Sequence, residues 1–176
     1  MSGPVEIWKQ TADSFGQRLS AVTDEHWSAK TPCEEWDVRA LVDHTLGVQT
    51  MIIGALGGSV EEGADWNGIR SGMEQALESA DALEGNLPEG SPLGPMPKHQ
   101  VLGIGIGDML IHTWDLSRSI DHDDTLPPAA VQASTMGLKN MPAEFMRAPG
   151  RFGNEVAVGD EASAQDQLIA FTGRQP

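Results

Sequence analysis

Between residues 99 and 120 apolar side chains fall on nearly every side of a helix: Val101, Leu102, Ile104, Ile106, Met109, Leu110, Ile111, Trp114, Leu116 and Ile120. Such a helix belongs in the middle of a bundle rather than on its surface. At about 100° per residue, its polar members Asp108, His112 and Asp115 share a wedge of roughly 60°, with Gly105 on the same side. Buried carboxylates are rare unless they are paired or coordinate a metal, so this wedge needs a counter-charge. A second segment, residues 37–56, reads as a helix with Asp37 as N-cap. Leu41, His44, Val48, Met51 and Ala55 recur there at spacings of three and four, which places His44 in a core-facing stripe.

The remaining pattern is also helical. Residues 5–22 form a first helix with Ile7, Trp8, Phe15 and Leu19 on one face, and residues 67–83 a more polar third one with Ile69, Met73, Leu77 and Ala80. Four prolines and three glycines within residues 84–98 enforce a long loop, and loops of that length in compact domains often cover functional sites. Pro127 and Pro128 can open a fifth helix, which Pro142 disrupts. A short strand is expected at residues 155–158 and a last helix near 162–171. The organisation is all-α: a helical bundle over residues 1–150, with a strand/helix tail over 151–176 packed on the same domain.

Asp108 and His112, four residues apart, lie one above the other on one helix face, and a metal can be gripped by such a pair if a third donor arrives from a neighbouring helix. The HExxH zinc motif uses the same spacing. His44 is the available third donor. From the residues alone, a metal site and a hydrogen-bonded histidine–carboxylate network stand about even.

Charge and cysteine content narrow the partners. Eleven Lys plus Arg against 26 Asp plus Glu give a net charge of −15, which argues against nucleic acid and anionic membranes. The single cysteine, Cys33, rules out an intrachain disulfide and fits a reducing cytosol. Cys33 reads as a small buried thiol, because it precedes the first turn of the second helix. The N-terminus shows no basic region followed by an apolar core, and no apolar run approaches the ~18 residues that span a bilayer; the expectation is a soluble, cytoplasmic protein. The run Asp121-His122-Asp123-Asp124 lacks the glycine and distal glutamate of a calcium loop and reads as solvated. The glycines at 103, 105 and 107 follow no strand and are no dinucleotide fingerprint; close packing or room beside a metal explains them.

The segment Thr31-Pro32-Cys33-Glu34-Glu35-Trp36-Asp37-Val38-Arg39-Ala40-Leu41-Val42-Asp43-His44 resembles the first signature of proteins related to mycothiol-dependent maleylpyruvate isomerase. Asp108-Met109-Leu110-Ile111-His112-Thr113-Trp114-Asp115-Leu116 is similar to the second. The tail, Phe152 to Val158 followed by Gln165 to Arg174, resembles the ending of a short metal-binding branch of that group. The resemblance implies a DinB-like four-helix bundle, often dimeric, holding a divalent metal through His44, Asp108 and His112. It departs in having Asp108 where the isomerase has glutamate, and in lacking the isomerase's larger C-terminal domain. Zinc leads among the metals that such ligands suit, with nickel and iron(II) alternatives. The implied chemistry is a thiol-dependent transferase or isomerase: the metal activates the thiolate of mycothiol, which attacks an electrophile held under the 84–98 loop. Asp115 would orient a ligand or act as acid–base partner. The alternative is a non-catalytic, stress-related metal binder.

Overall fold

The computed structural model describes residues 2–148 and 150–176. It is helical: α1 (Pro4–Ser20), α2 (Val38–Ala55), α3 (Trp66–Ala76), α4 (Lys98–Ser119), α5 (Pro128–Lys139), the single turn α6 (Ala143–Met146) and α7 (Ala164–Phe171). The all-α expectation holds. α4 is central, packed against α1, α2 and α5, while α3 lies on α2 and α7 on α5. Its burial follows the sequence pattern, since Val101, Leu102, Met109, Leu110, Ile111 and Leu116 are fully enclosed. Trp8, Ala12 and Phe15 of α1 complete that core.

Start signals fall where the chemistry puts them. Asp37, Asp65 and Ser163 each accept a backbone N–H of the first helical turn, capping α2, α3 and α7. Pro4 and Pro128 occupy first-turn positions of α1 and α5, where the missing N–H is not needed. The third helix ends at Ala76, short of the expected residue 83. Beyond it the chain runs through successive three-residue turns, Ala82 N–H to Ser79 O (3.1 Å) and Glu84 N–H to Asp81 O (2.8 Å), in place of helical bonds.

Two expectations are corrected. Among the described residues no strand forms at 155–158; the extended segment donates Val156 N–H to Ala170 O at the end of α7. A helix terminus offers isolated carbonyls rather than a ladder, so the segment stays irregular. On α2 the buried line is Val38, Leu41, Val42, Thr45, Gln49, Ile52 and Ile53, and Met51 is exposed. Polar Thr45 and Gln49 occupy the core line because their hydrogen bonds are met inside. Thr45 Oγ1 donates to Leu41 O (3.0 Å), and Gln49 Nε2 donates to Gly105 O (2.9 Å) while its Oε1 accepts from Trp8 Nε1 (3.1 Å). His44 therefore stands at the margin of the stripe.

Gln49 and Ile52 also fill the side of Gly105. A Cβ there would lie 3.1 Å from Ile52 Cγ1 and 3.5 Å from Gln49 Nε2, so this glycine serves close helix packing and not space beside a metal. The loop at 84–98 folds on itself through Leu87 N–H to Met96 O (2.9 Å) and Lys98 N–H to Gly85 O (3.0 Å), with Leu87 buried as its anchor. The acidic run at 121–124 is solvated but tied down: Arg18 donates to Asp123 O and Thr125 O, and Arg118 pairs with Asp124. No described helix is long and apolar enough to cross a membrane.

Candidate metal centre

α4 presents Asp108 and His112 one turn apart toward α2, and the marginal position of His44 on α2 puts its ring opposite them. His44 Nε2 lies 3.1 Å from Asp108 Oδ1, and His112 Nε2 lies 3.7 Å from the same oxygen. The three donor atoms are all within 4.8 Å of one another, and the imidazole rings meet edge to face at 5.0 Å. The structure thus brings the three sequence-predicted residues together. His44 is one-third exposed, whereas His112 is nearly enclosed.

Asp108 Oδ2 is buried and, among the described residues, has no hydrogen-bond partner. Leaving a buried acceptor unmet costs about 1–3 kcal/mol, and more for a charged group. Two imidazole nitrogens beside Asp108 Oδ1, with Oδ2 of the same carboxylate left unmet, are a donor set that suits a divalent cation, so the residues present fit a metal.

His112 is oriented from behind. Its Nδ1 lies 3.0 Å from Asp115 Oδ2; with Asp115 ionised, Nδ1 carries the proton and the Nε2 lone pair faces Asp108 and His44. Metal-ligating histidines usually make this second bond to a carboxylate. Asp115 is fully buried, and Arg174 forks onto it, Nε to Oδ1 and Nη2 to Oδ2, both at 2.7 Å. Burial pushes the Asp115 carboxyl up, but hydrogen bonds from His112 and Arg174, and the charges behind them, hold it below the usual carboxylate range. An oxygen pair so engaged orients His112 and leaves no proton to donate.

Cys33 closes this second layer. Its Sγ donates to Asp115 Oδ2 (3.4 Å) and accepts from Arg174 Nη2 (3.3 Å). Burial first, and then the Asp115 charge, push the thiol up to about 12, against the smaller opposing pull of Arg174. Cys33, His112 and Asp115 also lie at ligand distance from one another, but the cation among them is the Arg174 guanidinium. Because the thiolate is the reactive form, Cys33 in the folded protein should alkylate with iodoacetamide at neutral pH on the order of 10³-fold more slowly than in urea-unfolded protein. Mass spectrometry of quenched samples reads the rate, and equal rates would contradict the pairing of this thiol, which is half-buried rather than enclosed as the sequence suggested.

Sequence reasoning missed Arg174 and the placement of Trp36. Arg174 follows Gly173, whose φ of +89° and approach to Gly153, within 2.7 Å of where a Cβ would stand, turn the chain end toward Asp115. No periodicity announces such a residue; a basic side chain beside a glycine in an acidic tail is the only signal. The Trp36 ring lies 4.5 Å from the His44 ring and 5.6 Å from that of His112. It also lines a surface hollow of about 390 Å³ with Lys30, Glu34, Glu35, Asp37 and Ala40. Among the described residues, no hydrogen bond links the 84–98 loop to His44, Asp108, His112 or Asp115.

Turn 31–36, the α2 cap and His44 form one continuous unit, and that stretch is where the comparison with known families falls. Residues 8–66 match the mycothiol maleylpyruvate isomerase N-terminal domain family. The DinB-like family is of the same clan. The matched stretch carries Cys33, Trp36 and His44; Asp108, His112, Asp115 and Arg174 lie beyond it. Two uncharacterized proteins of Mycobacterium tuberculosis, from strain CDC 1551 / Oshkosh and strain ATCC 25618 / H37Rv, are each 26% identical to the chain over 178 residues, covering 97% of this chain and 97% of theirs. No solved structure matches.

Proposed function

We propose that His44, Asp108 and His112 hold one divalent metal ion and that the loaded site serves a thiol-dependent transferase or isomerase. The observation that carries the metal is the Asp108 carboxylate, with Oδ1 beside two imidazoles and Oδ2 buried without a partner among the described residues. Two nitrogens and one carboxylate suit zinc, with nickel and iron(II) also served by such a set. When bound, the ion supplies a Lewis acid that favours deprotonation of a coordinating thiol.

The protein's own groups set the rest. Asp115 holds His112 in the tautomer that aims Nε2 at Asp108, and Arg174 keeps Asp115 charged. Cys33, the single cysteine, is held protonated with its thiol pushed up to about 12, so it makes a poor nucleophile. A thiol nucleophile would then come from a small molecule, and the family match on residues 8–66 supports mycothiol as that co-substrate. Its acceptor would be an electrophile approaching from the exposed side of His44.

Metal analysis by inductively coupled plasma mass spectrometry tests the first half. Wild-type protein should carry about one divalent ion per chain, and a His44→Ala/His112→Ala double variant none. Thiol consumption with a panel of electrophiles tests the second half. A metal-loaded protein that gives no acceleration over the uncatalysed rate would leave the non-catalytic metal binder standing and remove the transferase reading.

A further inference from the structure

The two imidazoles of the site are held in unlike ways. His112 is nearly enclosed and fixed through Nδ1 by Asp115. His44 is 34% exposed, and among the described residues no protein group hydrogen-bonds to its Nδ1. Its one polar contact, Nε2 to Asp108 Oδ1, uses the atom that a metal would claim. Once that bond is surrendered, only ring packing opposes its turning into solvent, and the edge-to-face contact with His112 lies on one side alone.

Trp36 is what fixes it. The indole packs on the His44 ring at 4.5 Å and a 40° tilt, within the range of favourable ring pairs, and extends over His112 at 5.6 Å. Trp36 is itself pinned before α2 begins. Its carbonyl accepts from Thr31 Oγ1 (2.9 Å) and Thr31 N–H (3.3 Å), its N–H donates to Cys33 O (2.9 Å), and the next residue, Asp37, caps α2. The turn at 31–36 therefore sets one indole and one helix start together, and His44 follows two helical turns later.

We propose that Trp36 is the positioning residue for His44: its indole does by packing what Asp115 does for His112 by hydrogen bonding. This rests on the metal reading above and extends it to a residue that supplies no ligand atom. Outer partners of metal ligands typically change affinity by 10–100-fold, and a packing contact belongs at the lower end of that range.

Cobalt(II) affinity, read by competition with a chromophoric chelator, tests the role in the intact protein. Trp36→Leu retains apolar bulk but no ring, and should bind cobalt about ten-fold more weakly than wild type. Trp36→Phe restores a ring and should lie within about three-fold of wild type. The d–d spectrum of the cobalt form should broaden in the leucine variant only. Thermal unfolding of the metal-free proteins checks that each is folded, and Trp36→Met gives the same reading if the branched side chain is not accommodated. Wild-type affinity in both Trp36→Leu and Trp36→Met overturns the inference, as does equal weakening in Trp36→Phe. Those outcomes leave the metal reading intact, whereas a wild-type protein that takes up no cobalt removes both.

Discussion

Arg174→Ala should lower the stability of the metal-free protein by roughly 3–5 kcal/mol at pH 7, the cost of leaving a buried charge without its partner. Asp115 is fully buried, and among the described residues Arg174 is the full positive charge in contact with it, at 2.7 Å to each oxygen. Arg174→Lys should recover only part of the loss, because a point charge on a flexible stem cannot reproduce the fork. The pH dependence follows from the direction of the shift. In wild type the folded Asp115 carboxyl sits below its ordinary value, so its contribution is complete above the unfolded pKa and is lost as pH falls through the folded one. Without Arg174, burial is opposed only by the hydrogen bonds of His112 and the Cys33 thiol, and protonation becomes the alternative to a counter-ion. The penalty should therefore be largest at neutral pH and shrink toward pH 4. Urea unfolding at several pH values reads both effects; a penalty below about 1 kcal/mol, or one that grows on acidification, would contradict the clamp.

The same site shows why some of this molecule is legible in its sequence and some is not. α4 could be read directly, since a helix apolar all round has one place to go, and three polar groups on one wedge of it must face something. Asp108 and His112 followed from spacing alone. His44 was found by its residue type but placed on the wrong line of α2. A search for apolar periodicity passes over Gln49, which is buried because Trp8 and Gly105 satisfy its amide from two other helices. That partnership is tertiary and leaves no local pattern.

Arg174 and Trp36 were hidden for a related reason. Arg174 reaches Asp115 across 59 positions, through a glycine turn that exists only because the tail packs against Gly153. Trp36 sits in an ordinary-looking turn, and only the folded geometry shows its ring against two histidines. The expected strand at 155–158 failed for want of a neighbour, which a propensity for extended backbone cannot supply. What sequence conveyed was the chemistry of the candidate ligand atoms; what it withheld was the set of residues packed and bonded around them.

Metal binding and stability should move in opposite directions at Asp108. A divalent ion at 100 times its dissociation constant stabilises the folded state by about 2.7 kcal/mol. For a chain of this size each kcal/mol raises Tm by roughly 2–4 °C, so zinc should raise it by about 5–10 °C over protein treated with a chelator. His44→Ala and His112→Ala should abolish that rise. Asp108→Asn is the more telling variant. It keeps an oxygen acceptor for His44 but removes the charge whose Oδ2 is buried without a partner. The metal-free variant should match or exceed the wild-type Tm, because the unmet charge no longer opposes folding. Its response to zinc should vanish, because zinc takes carboxylate oxygens and a neutral amide brings no charge to offset the ion. Differential scanning fluorimetry with and without chelator measures both quantities. An Asp108→Asn protein that gains the full wild-type increment would show that the ion sits elsewhere; one that loses several degrees without metal would show that Asp108 is a structural partner of His44 and not a group held in reserve for a cation.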